Sequence, residues 1–156
     1  MKAARQKGLC DTGKDIIRHA DVDEIIRQYR DHLGWHVTHD NPPEDILRKH
    51  YAGFCTDWVA VGAEAAFADQ SKVLLTCDAK GVVTYSEKKR GRVFVRHGAT
   101  LELTAAKGAM VVVSMYDDCI AHIEAAEGAR VYVFLHDVAR LEDTPTDTKE
   151  IVISKR

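Results

Sequence analysis

The sequence predicts an α+β protein, with N-terminal helices followed by a β-solenoid-like stack of ten-residue repeats. Three observations predict it. From residue 98 the chain falls into rows of ten that keep small or apolar residues in the same columns. Before residue 58 the apolar residues recur at helical spacing instead. With 46% of 156 residues hydrophobic, the chain can bury a core of one domain or two small ones. The expected division is a helical segment over 1–57 and a β-repeat domain over 58–156.

In chain order, Thr12 is expected to cap a short helix containing Ile16 and Ile17. Asp21 opens a stronger one, because Val22, Ile25, Ile26, Tyr29, Leu33 and Val37 form one apolar stripe. Asp23 and Glu24 suit its positive end, and Gly34 weakens it near its finish. Asn41-Pro42-Pro43-Glu44 reads as a new start, with Asn41 as cap, a proline in the first turn and Glu44 at the dipole's positive end. Ile46, Leu47, His50 and Tyr51 form the expected inner face. Residues 53–58 read as a connector. Trp58–Val61 is the first strand candidate, ended by Gly62.

The rows from residue 98 are GATLELTAAK, GAMVVVSMYD, DCIAHIEAAE, GARVYVFLHD and VARLEDTPTD. Their second column is Ala99, Ala109, Cys119, Ala129 and Ala139. Their fourth is Leu101, Val111, Ala121, Val131 and Leu141. Their sixth is Leu103, Val113, Ile123 and Val133, failing only at Asp143. Alternation of this kind is strand periodicity with one face buried. Glycine or aspartate heads four of the five rows, a turn residue at a fixed place. Val73–Cys77, Val82–Tyr85 and Arg92–Arg96 read as earlier strands in poorer register, and Glu150–Ile153 as a last, isolated one. A fixed period with an invariant inward column marks a stacked solenoid. The alternative is an antiparallel meander or sandwich, which also spaces strands 8–12 residues apart. Recurrence of one residue type in one column favours the stack, since a meander has no reason to keep that register.

Leu9-Cys10, Asp40-Asn41-Pro42-Pro43, Tyr116-Asp117-Asp118 and the Gly128–Val133 row carry a resemblance over most of the chain. The chain resembles small β-repeat proteins of gut bacteria and their phages, a helical start followed by short β-repeats. The resemblance implies this architecture and no activity.

Composition narrows function. A net charge of −2 argues against a dedicated nucleic-acid binder. No apolar run approaches the roughly 20 residues of a membrane helix. The opening MKAARQKGLCDTGK has no apolar stretch after its basic residues, so a secretory signal is not expected. Cys10, Cys55, Cys77 and Cys119 lie far apart without CxxC spacing, so reduced thiols in a cytoplasm are expected. Cys119 fills an alanine column and should be a small buried residue. P-loop, GxGxxG, GxSxG, DxDxDG and GGxGxD motifs are missing.

Three constellations remain. His32, His36 and His39 stand at i, i+4 and i+7, a spacing that on one continuous helix brings metal ligands to one side. Gly34 between them, His36 on the apolar stripe and the lack of an HExxH glutamate favour packed or surface histidines. Lys88, Lys89, Arg90 and Arg92, with Arg96 beyond, form the single basic cluster and would grip phosphates. A solvated turn that protects a sheet edge is the plainer explanation. Arg96, Tyr116 and His136 share a column every second row. With rows about 4.8 Å apart, they would line a ridge at twice that spacing. His122 is expected in an outward column between Val112 and Tyr132. The leading expectation is a non-enzymatic cytoplasmic protein without cofactor, binding another protein or itself, most simply as a dimer. The alternatives are a metal-dependent enzyme using the histidines and a nucleic-acid accessory protein using the basic cluster.

Overall fold

A computed structural model of the chain describes residues 22–145 and 149–155, with side chains from residue 27 onward. Cys10, the Thr12 cap and the helix expected at Ile16 and Ile17 lie outside the described residues. The chain forms two compact units that divide between Pro43 and Glu44.

In the first unit the expected single helix is two: α1, Val22–Asp31, and α2, Leu33–Thr38. His32 breaks the run with φ −101 and ψ 21, and no side chain caps the restart. Leu33 and Val37 are the buried residues of α2. The Asn41 side-chain nitrogen lies 3.1 Å from His36 Nδ1.

The second unit opens with α3, Glu44–Tyr51, which has acids in its first turn and Arg48, Lys49 and His50 in its last, complementing the dipole. Its inner face is narrower than expected. Leu47 is buried, whereas Ile46 and Tyr51 are 38% and 47% exposed and His50 is also exposed.

Among the described residues twelve strands follow: β1 Phe54–Cys55, β2 Val59–Val61, β3 Glu64–Ala68, β4 Lys72–Thr76, β5 Lys80–Tyr85, β6 Arg90–Val95, β7 Thr100–Ala105, β8 Met110–Met115, β9 Ile120–Ala125, β10 Arg130–Leu135, β11 Arg140–Leu141 and β12 Ile151–Lys155. The expected connector over 53–58 therefore contains β1. Strands alternate between two sheets, one ordered β1-β2-β4-β6-β8-β10-β12 and the other β11-β9-β7-β5-β3. Every pair is parallel except β1 with β2. That pairing is a β-solenoid and excludes the antiparallel meander.

A coil is two rows, not one. Val93 pairs with Val113 and Val113 with Val133, and Leu101 pairs with Ala121, each twenty residues apart. Consecutive rows thus face one another across the core, and rows two apart are the hydrogen-bonded neighbours. Six strand residues plus a four-residue corner make each row of ten. All the small and apolar columns named above, from Ala99 to Val133, enter one core. The second column is small for a local reason. Ala79, Ala99, Ala109, Cys119 and Ala129 turn inward at the corners, where the two sheets meet, and are at most 2% exposed.

Strands β4, β5 and β6 also keep the twenty-residue register, whereas β2 and β3 pair at fifteen and sixteen residues, Val59 with Leu74 and Glu64 with Lys80. Lys80 aligns with Thr100 and Arg90 with Met110 without slip. Glycine disguised this. A Cβ on Gly81 would meet the Leu75 side chain, and one on Gly91 would overlap the Tyr85 ring and hydroxyl. These inward positions are empty so that a large neighbour can fill them.

The two kinds of corner differ. At the first, Cys77, His97, Asp117 and Asp137 take φ of 55–58, followed in the two earlier coils by Asp78 and Gly98 at 63 and 72. At the second, Lys88, Gly108 and Gly128 take φ of 62–82 one row position later. Asp118 and Val138 head rows at first corners without needing positive φ, which explains why valine is tolerated there.

Candidate functional site

At the first corner chemistry-bearing side chains of successive coils meet one another. Residues twenty apart stack directly there. The Tyr116 and His136 rings are parallel to within 7° with centroids 4.4 Å apart, and Arg96 Cζ lies 5.6 Å from the Tyr116 centroid. Arg96, Tyr116 and His136 thus sit on adjacent coils about 4.8 Å apart, not at twice that spacing as the row-by-row reading expected.

The next column continues the pattern. Arg96 Nε donates to Asp117 Oδ2 at 3.0 Å, and the His97 amide donates to the same oxygen at 3.2 Å. The Asp117 amide donates in turn to Asp137 Oδ2 at 3.3 Å. A left-handed residue points its N–H along the stack, and the aspartate of the following coil accepts it.

Behind this column sits a grouping that local spacing did not suggest. His97 is 6% exposed, with Nδ1 2.8 Å from Thr76 Oγ1 and 4.0 Å from Cys77 Sγ, and Nε2 3.9 Å from Asp117 Oδ2. Cysteine, histidine and aspartate in that order have the composition of a nucleophile, base and orienting acid. The geometry argues otherwise. The thiol is 2% exposed, and burial raises its pKa above the ordinary thiol value. The ring bonds the Thr76 hydroxyl, so the two buried polar side chains satisfy each other. Among the described residues no buried side-chain nitrogen or oxygen lacks a partner. The signal that would have found this group is the twenty-residue period, which places 77, 97 and 117 in one column.

The N-terminal histidines are placed apart in role. His36 stacks on Tyr29 at 4.3 Å, and burial, first among the causes, lowers its pKa to about 4. His39 stacks on Trp35 at 4.5 Å, with Nδ1 2.8 Å from the Trp35 carbonyl. His32 is exposed. Among the described residues no three His, Cys, Asp or Glu side chains gather as a metal site.

The basic cluster divides. Lys88, Lys89, Arg90 and Arg92 are exposed at and beside the second corner. The Lys88 amide donates to the Lys107 carbonyl at 3.2 Å, bringing that lysine's turn alongside. Arg96 lies at the far end of β6, roughly 20 Å along the strand, and belongs to the aromatic stack instead. His122 lies on the five-stranded sheet, between Glu102 in register and Glu142, whose carbonyl is 3.3 Å from His122 Nδ1. Val112 and Tyr132, its expected neighbours, are on the opposite sheet.

No known protein family, curated protein or solved structure matches the chain. Among the described residues no helix is long and apolar enough to cross a membrane.

Proposed function

We propose that the chain is a non-enzymatic protein that acts through its repetitive β-surface, in self-association or in holding a protein partner. The observation that carries this reading is the register. Partners twenty residues apart align without slip from β5 to β11 in one sheet and from β6 to β10 in the other. Such a stack holds its outward side chains at about 4.8 Å intervals on a rigid support. On the five-stranded sheet these columns are Lys80–Thr100–Ile120–Arg140 and Val82–Glu102–His122. A preorganised face loses little entropy when a partner docks. The first corner supports the same reading, because Arg96, Asp117, Tyr116 and His136 already engage one another within the stack.

Sedimentation velocity of the full chain across a wide concentration range tests the self-association arm. Species heavier than the 17.4 kDa chain should grow with concentration. A single 17.4 kDa species throughout would leave only the heterologous partner.

A further inference from the structure

We propose that the chain dimerises through the free edge of β12, laid antiparallel to the same strand of a second copy about a two-fold axis. The proposal rests on the self-association reading and names its contact.

Backbone direction alternates along the seven-stranded sheet. Amides of even-numbered residues turn toward the preceding coil: Arg92 donates to Ser71, Arg96 to Leu75, Tyr116 to Val95 and His136 to Met115. Odd-numbered residues turn toward the next coil, and Val131 donates to the Glu150 carbonyl at 2.7 Å. Carried into β12, the alternation points the N–H and C=O groups of Ile151, Ile153 and Lys155 away from β10. Among the described residues no strand follows there, because β12 ends the sheet. A row of such groups is a template for another strand.

The core is incompletely covered at this end. Among the described residues β11 is only two residues long, and Ala139, Leu141 and Ile153 are only partly buried against the core; Val152, in register with the outward Tyr132, is 51% exposed. The C-terminal strand is therefore a further rung of the stack rather than a cap.

A second copy fits this edge for two reasons. The first is charge. Among the described residues from 137 onward, four acids (Asp137, Glu142, Asp143, Glu150) stand against three bases (Arg140, Lys149, Lys155), a net of −1, so two copies of this end meet with little repulsion. An antiparallel pair lays the Glu150 end of one strand beside the Lys155 end of the other. Residues 88–107, with six bases against Glu102 alone, could not face themselves in this way. The second reason is closure. The other edge of the same sheet is the antiparallel β1, two residues long, which offers no parallel site for β12 of another copy. Head-to-tail growth is blocked, whereas two identical edges meet isologously and close at two copies.

Two variants of the full chain test the contact. Ile153→Pro deletes an outward N–H and leaves the β10-facing amides of Val152 and Ser154 in place. Val152→Lys sets a charge on a half-exposed residue beside its symmetry mate. By sedimentation equilibrium the natural chain should be a dimer, and each variant should raise its dissociation constant at least tenfold while circular dichroism is unchanged. If the proline variant fails to fold, Val152→Lys alone decides. A dimer with the same dissociation constant in the folded variants overturns the β12 contact and leaves self-association through another edge, such as β3. A natural chain that is monomeric at every concentration overturns the contact and the self-association reading together. Assemblies that keep growing beyond two copies overturn the two-fold closure.

Discussion

Gly91 stands where Val111 and Val131 stand in the following coils, so a consensus argument would replace it with valine. The fold argues the reverse. The Tyr85 ring fills the space above Gly91, and its hydroxyl donates to the Gln70 carbonyl at 2.8 Å. Gly91→Val should therefore destabilise by about 1–3 kcal/mol, the usual cost of overpacking. Tyr85→Leu added to it should recover part of that loss, a non-additivity readable in a double-mutant denaturation cycle. This is also why β5 and β6 looked out of register in the sequence. Column reading compares residues along one sheet, while Gly81 and Gly91 answer to Leu75 and Tyr85 on the other. His36 supplies a second residue-scale test. Its folded pKa of about 4 lies below the ordinary 6.5, so between those values the unfolded chain takes up the proton and the folded chain does not. Stability from the neutral ring is then present above pH 6.5 and lost as the pH falls through 4. An NMR titration of the ring should show the low midpoint, and His36→Gln should flatten the stability profile across that window. A midpoint near 6.5 would mean that the ring is solvated.

At the scale of elements, the inward columns made the strands legible but not their assignment to sheets. Small, apolar and apolar again recur in every row, so the rows look equivalent at ten residues. The corners carry the distinction, with Asp117 and Asp137 left-handed at one and Gly108 and Gly128 at the other, one row position later. The period of twenty was thus written in the turn residues, where aspartate and glycine were read together as generic turn formers. The helices show the same limit. Helical spacing ran continuously from Val22 to Val37, and nothing in it marked His32 as the break. A deletion series follows from the coil. Removing residues 110–129 excises one coil and lets β7 and its own corner lead into β10, which lies in the same sheet as β8, so the product should fold cooperatively at a lower melting temperature. Removing 110–119 alone sends every later strand to the opposite sheet and mismatches the corners. That product should lose much more stability, as thermal melts by circular dichroism would reveal. Equal melting of the two would mean that the corners do not discriminate between the sheets.

For the whole molecule, the charge pattern and the open edge make opposite demands on salt. Residues 88–107 are basic and residues 117–147 carry two bases against eight acids. If these stretches drew copies together, association would weaken once salt shortened the screening length to a few ångströms. Pairing through β12 relies on backbone groups and partly covered apolar side chains, so the dimer should persist at high salt in sedimentation runs. The edge itself was invisible in the sequence, because an isolated Glu150–Ile153 strand reads equally well as a lid. Only the parallel pairing of Val131 with Ile151 makes it a rung. The same parallel ladder gives the solenoid direction-dependent mechanics. Traction on β12 across the strands loads its bonds to β10 one at a time and unzips them. Complete peeling of a coil then frees twenty residues, about 70 Å of slack, before the next pair bears force. Traction along the strands shears every bond of a pair at once, so the molecule is soft to peeling and stiff to shear.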